Sequence, residues 1–467
     1  MWKSKLMEVF HALSGTEKRA LNKWLRSPFV NQRTEVWALW DYLLQHRTTV
    51  GPEWDKTEVY AQIFPGQPYR DVAMRQLMSD LLHCIEAYLV YKKFRANPAL
   101  RHTYLVGIYR DKRLFKRYQQ SVQRARKYLD TQPLGPQLFD QRYDLEYEKF
   151  VYLQTQKRTK ANNLQDLGNA LDASIILRKL KQSCMYLAHQ RVYKVEYDYS
   201  FLPHLLEYLA DSHHLQDPAI ATYYYCYRAL SEERDDLFQE FKNQLFAQES
   251  RFSQSESRDL LQLSINFCIQ QLNRGAKSYV AEALHLYRLG LRQKLLFSNG
   301  LLSRFTYNNI VGLALKLDEY VWAESFITDY RDHLDRDFRQ PTYNYNLAKL
   351  FYRQQRYQAA FHHLSAVDES DVLLNFSAKV ILLKMYYELG AYDEVEALLA
   401  SFRALINRKK MLSYHQTNFS NFIRFTRRLL YLGPDEVEKR FALRRDILNA
   451  RVLAEHEWLL EQLDERS

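Results

Sequence analysis

Glycine and proline are scarce in this chain, with 12 and 11 in 467 residues, about 5% where average usage gives roughly 12%. Eight of the eleven prolines precede Ser212. Sheet proteins need frequent turn punctuation and period-two alternation of apolar residues. Neither is sustained here, which excludes an all-β fold and predicts an all-α one. The four cysteines, Cys84, Cys184, Cys226 and Cys268, form no CxxC pair, so buried, reduced thiols are expected rather than a disulfide framework or a metal site. No run approaches the roughly 18 apolar residues of a membrane-spanning helix. Met1 to Leu13 carries Lys3 and Lys5 but no continuous apolar stretch, so no secretory signal and a cytoplasmic location are expected.

Catalytic signatures are missing as well. HExxH, GxSxG and GxGxxG do not occur, and Gly275-Ala-Lys-Ser278 has neither the upstream glycine nor the Gly-Lys junction of a phosphate loop. His213-His214 and His362-His363 are adjacent pairs; neighbours on a helix point about 100° apart and cannot share a metal as an i, i+4 pair does. The acid pairs Asp235-Asp236 and Asp368-Glu369 fall at predicted hairpin turns, where they cap helices. The chain is therefore expected to be non-catalytic, with no metal and no cofactor.

What the chain does have is bulk and a period. Apolar residues make up 47% of it, and 35 tyrosines and 25 phenylalanines supply side chains large enough to fill gaps between helices. The helical segment around Cys184 recurs at Cys226, Cys268, Ile310, Leu347 and Leu382, at intervals of 42, 42, 42, 37 and 35 residues. Such a spacing is the mark of stacked helical hairpins, each too small to bury its own apolar face. The predicted fold class is all-α: an α-solenoid of hairpins over residues 97–432, preceded by an N-terminal helical module (1–96) and followed by a C-terminal capping helix (433–467).

Five of the seven tryptophans, Trp2, Trp24, Trp37, Trp40 and Trp54, lie in the N-terminal module. Ser14 and Glu17 read as a capping box opening a helix to about Arg26, which Pro28 ends. A second helix is expected over 34–46. A long third helix should bury Met74, Leu77, Met78, Leu81, Ile85, Tyr88 and Leu89. The strings LRSPFVN (25–31) and IFPGQPYRDVAMRQLMSDLL (63–82) resemble the N-terminal module of repeat-containing bacterial proteins, chiefly of the Bacteroidota lineage. That resemblance covers about a fifth of the chain and implies no activity.

Beyond Pro98 the periodicity predicts helix pairs 137–157 with 163–179, 180–194 with 199–211, 217–231 with 234–248, and 256–273 with 277–294. The pairs 302–317 with 320–334, 341–354 with 357–367, and 371–389 with 392–406 follow. In the last three, Ile310, Ala314, Tyr320 and Ala323, then Leu347, Ala348, Phe351, Tyr357 and Ala360, then Leu382, Tyr386, Gly390, Tyr392 and Val395 resemble the large, small, aromatic and tyrosine positions of tetratricopeptide repeats. The resemblance is clear over about 305–405 and implies a right-handed superhelix with an inner groove. By that resemblance Asn308, Lys349, Tyr352, Arg353, Lys384 and Tyr387 line the groove, where an acidic protein segment or peptide would bind. Gly433 before Pro434, Asp435 and Glu436 predicts the start of one long terminal helix, its stripe Val437, Phe441, Leu448, Val452, Leu459 and Leu463.

Charge is concentrated. Between Lys92 and Lys127 there are twelve Lys or Arg and one acid, Asp111, an excess equal to the whole chain's net charge of +11. On a helix expected to begin near Asp111, Leu114, Tyr118, Val122, Ala125 and Leu129 form an apolar stripe. Arg110, Lys112, Arg113, Lys116, Arg117, Arg124 and Lys127 are the candidate partner-binding cations. Three readings stay open for them: a merely solvated face, an acidic protein partner, or nucleic acid, since a fixed row of cations attracts any of these anions. The expected function is that of an interaction scaffold or adaptor using groove and basic face, the alternative a nucleic-acid-associated regulator using 92–127.

Overall fold

The computed structural model describes residues 4–46, 55–156, 162–193, 195–367, 372–408, 413–433, 435–450 and 452–465. Among these the protein is all-α, with twenty-three α-helices and one two-residue antiparallel ribbon. The ribbon pairs Phe297–Ser298 with Leu301–Leu302 across Asn299-Gly300. Both turn residues have positive φ, 51° and 79°, as a type I′ turn requires. The chain divides into two compact units, Met1–Arg178 and Lys179–Ser467.

The first unit opens with α1 (Lys5–Ala12), α2 (Gly15–Leu25), α3 (Thr34–Gln45), α4 (Lys56–Ile63) and α5 (Asp71–Arg95). The long α5 buries Met74, Leu77, Met78, Leu81, Ile85 and Tyr88 against Leu21, Leu25, Val36, Leu39, Trp40 and Leu43. Phe10 of α1 meets Trp40 edge to face at 5.6 Å. Trp2 and Trp54 lie outside the described residues. Helices α1 and α4 are additions to the sequence expectation; each is a short two-turn helix capped by one side chain, Ser4 and Asp55 respectively.

The capping box at the start of α2 is formed. The Ser14 amide donates to Glu17 Oε2 at 2.8 Å and the Glu17 amide donates to Ser14 Oγ at 3.3 Å. Lys92 of α5 donates to the other Glu17 oxygen at 2.7 Å. Lys92 first, and then the Ser14 bonds, hold the Glu17 carboxyl at about 2 against an ordinary 4.5. A carboxyl lowered on folding stabilises the folded state above its unfolded value and loses that contribution as pH falls through the folded one. The tryptophan-fluorescence transition of this unit should therefore weaken between pH 4.5 and about 2, and Glu17→Gln should flatten that slope. An unchanged slope in the variant would contradict the assignment.

The unit continues with α6 (Pro98–Asp111), α7 (Phe115–Asp130), α8 (Pro136–Gln154) and α9 (Leu164–Tyr193), in which the boundary at Arg178 falls. The 42-residue spacing asks for a turn near Leu180. Lys179-Leu180-Lys181 contains no breaker, and the expected helices 163–179 and 180–194 are one.

In the second unit α10 (Leu202–Ala210) precedes a run of hairpins: α11 (Pro218–Glu232) with α12 (Asp235–Ala247), α13 (Gln254–Asn273) with α14 (Tyr279–Arg292), and α15 (Arg304–Lys316) with α16 (Tyr320–Asp329). Then come α17 (Arg336–Arg353) with α18 (Tyr357–Ser365) and α19 (Val372–Glu388) with α20 (Tyr392–Arg408). First helices of neighbouring hairpins pack together, α11 on α13, α15 on α17 and α17 on α19. Helix α17 begins earlier than the expected 341, with Pro341 inside it.

The scarcity of glycine is accommodated at the helix C-termini. The carbonyls of Gln271, Gly290, Ala314, Phe351 and Tyr386 each accept an amide five residues on, at 2.8 to 3.0 Å. This closure places the intervening residue in the left-handed region. Gly275 and Gly390 occupy that place twice, but Lys294, Asp318 and Gln355 take it at φ of 57°, 56° and 58°. Tight turns are thus made without the residue that normally marks them.

The Cys184, Cys226 and Cys268 thiols are buried, Cys84 is half-buried, and none is in a disulfide. Beside Cys184, a polar cluster joins three helices. Glu256 of α13 accepts from Lys181 of α9 at 2.6 Å and from the Tyr223 hydroxyl of α11. Burial, and then the Glu256 charge, push the Tyr223 hydroxyl far above its ordinary value, so it stays a proton donor.

The C-terminal part departs from the expected single helix. After α21 (Ser413–Leu430) it forms α22 (Val437–Leu448) and α23 (His456–Glu465), with a break between; Pro434 lies outside the described residues. Leu443 and Ile447 face the core with Trp458, Leu459 and Leu463. Val437, Phe441 and Leu448 of the expected stripe are exposed, Phe441 at 69%. A stripe read across a break assigns one half of it to the wrong face, because the chain leaves the break in a new direction.

Candidate interaction surfaces

Helix α7 starts four residues later than expected, because Arg113 adopts φ 54° and Leu114 becomes the residue before the helix. Tyr118, Ser121, Ala125 and Leu129 turn inward, while Leu114 is exposed. At about 100° per residue, Lys116, Arg117, Arg124 and Lys127 fall within about 100° of arc, running from opposite the buried face at Lys116 and Lys127 round to its flank at Arg124 and Arg117. Lys112 and Arg113 are exposed in the turn before them. None of these six forms an ion pair among the described residues. Arg126 lies off the stripe and sits 3.6 Å from Glu146.

Arg110 does not belong with them. It is on α6, its side chain 17% exposed, paired with Glu148 and lying 3.1 Å from Asp111. The Glu148 carboxylate packs over Gly107, where a Cβ would stand 3.3 Å from its oxygens. The guanidinium is spent inside the fold.

Nearby rings mostly stack on one another. Phe94 lies against Tyr104 at 5.7 Å, Tyr91 against Trp24 at 4.9 Å, and Phe115 near Tyr152 at 5.9 Å. Tyr91, Tyr104 and Phe115 keep an exposed side.

The six groove residues belong to three consecutive hairpins, and the structure shows what engages them. Asn308 accepts from Asn346 at 2.6 Å, tying α15 to α17. Arg353 reaches back to Asp318 at 3.2 Å. Tyr352 donates to Glu388 at 2.5 Å; burial first, then the Glu388 charge, keep that phenol protonated. Lys384 is 8% exposed, its ammonium 4.8 Å from the Tyr352 ring and 5.6 Å from the Trp458 ring. Tyr387 is buried edge-on to Trp458 at 5.4 Å.

The chain's own C-terminal segment thus lies across Lys384 and Tyr387. Glu455 accepts from Lys384 at 2.6 Å, and Trp458 donates its indole N–H to Glu388 at 2.6 Å. Glu457 stands 3.1 Å from Lys277 and 3.8 Å from Lys316. Lys349, half-buried beneath the segment, packs over Gly312, where a Cβ would come within 3.0 Å of its Nζ. Burial lowers the Lys349 ammonium and the Glu455 charge opposes that shift. For Glu455, burial pushes the carboxyl up, but Lys384, Lys349 and Lys316 prevail and hold it below its ordinary value.

No protein-family model, no curated protein and no solved structure matches this chain. Function therefore rests on the surfaces themselves.

The sequence reading found Lys349 and Lys384 but not Lys277 and Lys316, nor the acidic segment facing all four. Stepping the Lys349 to Lys384 interval of 35 residues back by a similar 33 reaches Lys316, which is the signal the chain carried. Elsewhere in the second unit, an open cleft between α20, α21 and α22 has Leu399, Ile406 and Ile423 as its floor and Arg403, Arg424 and Arg427 at its rim. Among the described residues no group of three His, Cys, Asp or Glu could hold a metal ion, and no helix is long and apolar enough to cross a membrane.

Proposed function

We propose that the protein is a non-catalytic interaction scaffold, a tetratricopeptide-like solenoid whose open docking surface is the basic stripe of α7 and whose partner is an acidic protein face. The observation that carries this reading is the contrast between two sets of cations. Of the groove cations, Arg353 and Lys384 are paired within the chain and Lys349 is half-buried, while Lys112, Arg113, Lys116, Arg117, Arg124 and Lys127 are exposed and free of ion pairs among the described residues. Like charges held in a row on a rigid helix repel one another, and an acidic surface relieves that repulsion on docking.

Support for the solenoid comes from the hairpin joints. Ala314, Ala323, Ala348 and Ala360, at the small positions of the repeat, are fully buried, which lets helices cross closely. Tyr357 reaches Glu388 of the following hairpin at 3.0 Å, the joint-filling role its position implies.

A second reading, a nucleic-acid-associated regulator, draws on the same stripe and on the exposed sides of Tyr91, Tyr104 and Phe115, since rings beside cations suit stacked bases. One experiment separates the two. Tagged full-length protein should retain partner proteins from nuclease-treated host lysate, and reversal of Arg113, Lys116, Arg117 and Arg124 to Glu should lose the same partners. Parental retention on a nonspecific duplex at about 0.15 M salt, lost on reversal, would favour the second reading instead.

A further inference from the structure

We infer that the lysine row Lys277, Lys316, Lys349 and Lys384 is a second binding site, for acidic peptides with a Glu-x-Glu spacing, and that residues 455–457 are its built-in competitor. This goes beyond the basic stripe of α7 and is independent of it.

Four consecutive hairpins supply the row. Lys277 comes from the turn between α13 and α14, Lys316 from the end of α15, Lys349 from α17 and Lys384 from α19. Against these four cations the chain sets two carboxylates, Glu455 and Glu457. Lys349 has no ion pair within 4 Å among the described residues. The row is therefore under-neutralised, and a further carboxylate would be drawn to it.

The occupant is held unevenly. At one end Lys384 is buried between two rings. At the other, Lys277 and Glu457 have side chains 81% and 52% exposed. An exposed pair of this kind exchanges readily for another carboxylate, because water screens both the bound and the released state. Trp458 and Leu459 anchor the rest of α23 in the core, so displacing residues 455–457 unwinds only its first turn, breaking the bond from the Leu459 amide to the Glu455 carbonyl.

Backbone geometry points the same way. Glu455 has φ 53°, a left-handed conformation that costs a non-glycine residue roughly 1–2 kcal/mol. It aims the carboxylate at Lys384 and Lys349.

The test uses a fluorescein-labelled peptide with the sequence of residues 450–461 and the full chain, read by anisotropy. Binding should tighten about threefold in Glu457→Gln and at least about tenfold in Glu455→Gln/Glu457→Gln, as the competitor loses first one carboxylate and then both. It should weaken at least about tenfold in Lys277→Glu/Lys316→Glu, which removes the exposed cations. A peptide with both glutamates changed to glutamine should not bind. Reversal of Arg113, Lys116, Arg117 and Arg124 should leave the affinity unchanged, so this site and the α7 surface fail separately. Equal affinity for the parent and Glu457→Gln, whose exposed position leaves the fold intact, would overturn the inference. So would binding that survives reversal of Lys277 and Lys316.

Discussion

Glu256→Ala should open the α9, α11 and α13 junction by about 2–4 kcal/mol, the largest effect expected of any single change considered. The Glu256 carboxylate is nearly buried and serves two donors at once, the Tyr223 hydroxyl and the Lys181 ammonium. Tyr223 is fully buried, so water cannot replace the lost acceptor, and the hydroxyl bears its full desolvation cost. Lys181 fares better, keeping Asp259 at 3.1 Å. The order of three variants follows. Glu256→Ala should cost most, Glu256→Gln about 1 kcal/mol because an acceptor remains, and Tyr223→Phe less than Glu256→Ala because it removes the stranded donor itself. Hydrogen exchange of α11 and α13 amides measures this locally, without assuming that a chain of two units unfolds in one step. Equal protection in all three variants would show that the cluster contributes nothing.

The second large effect is an asymmetry. Glu455→Gln should destabilise the α19 to α23 region by about 2 kcal/mol, while Lys384→Met should cost less than about 1 kcal/mol. The two residues share one hydrogen bond of 2.6 Å, but they are not equally buried. Lys384 is enclosed by Tyr352 and Trp458, and losing Glu455 strands a charge there. Glu455 has a side chain 40% exposed, and on losing Lys384 it turns to water and to the charges of Lys349 and Lys316. Methionine keeps the volume between the rings and adds a sulfur contact. The Glu455 contribution also sets a pH dependence. Its carboxyl lies below the ordinary 4.5, so the stabilisation is complete above that value and is lost as pH falls through the lower folded one. Amide exchange in α19 and α23, measured for both variants at neutral and acidic pH, should show the asymmetry and its loss in acid. Equal costs for the two substitutions would refute it.

Much of the local structure was legible in the chain. The Ser14–Glu17 capping box, the buried face of α5 and the hairpins from α11 onward follow from patterns only a few residues wide. Such patterns act through hydrogen bonds and one helix face, both local properties. The placement of Asn308, Lys349 and Lys384 on successive hairpins was also legible, because repetition at 37 and 35 residues places Ile310, Leu347 and Leu382 at matching points of those hairpins. Two errors share one cause. The turn expected at Leu180 and the unbroken terminal stripe each carried a period across a stretch where local chemistry decides otherwise.

The sequence alone determined that this is an all-α chain, that its helices fall largely in pairs, and that its positive excess lies between Lys92 and Lys127. Spacing and composition suffice for these, since helix formation and burial of a face are set by near neighbours. Only the tertiary structure decided which cations are free. Arg110 is neutralised by Glu148, 38 residues on, and Lys384 by Glu455, 71 residues on, whereas the stripe on α7 is left to solvent. Charge neutralisation depends on distance through space, and no count along the chain contains that distance.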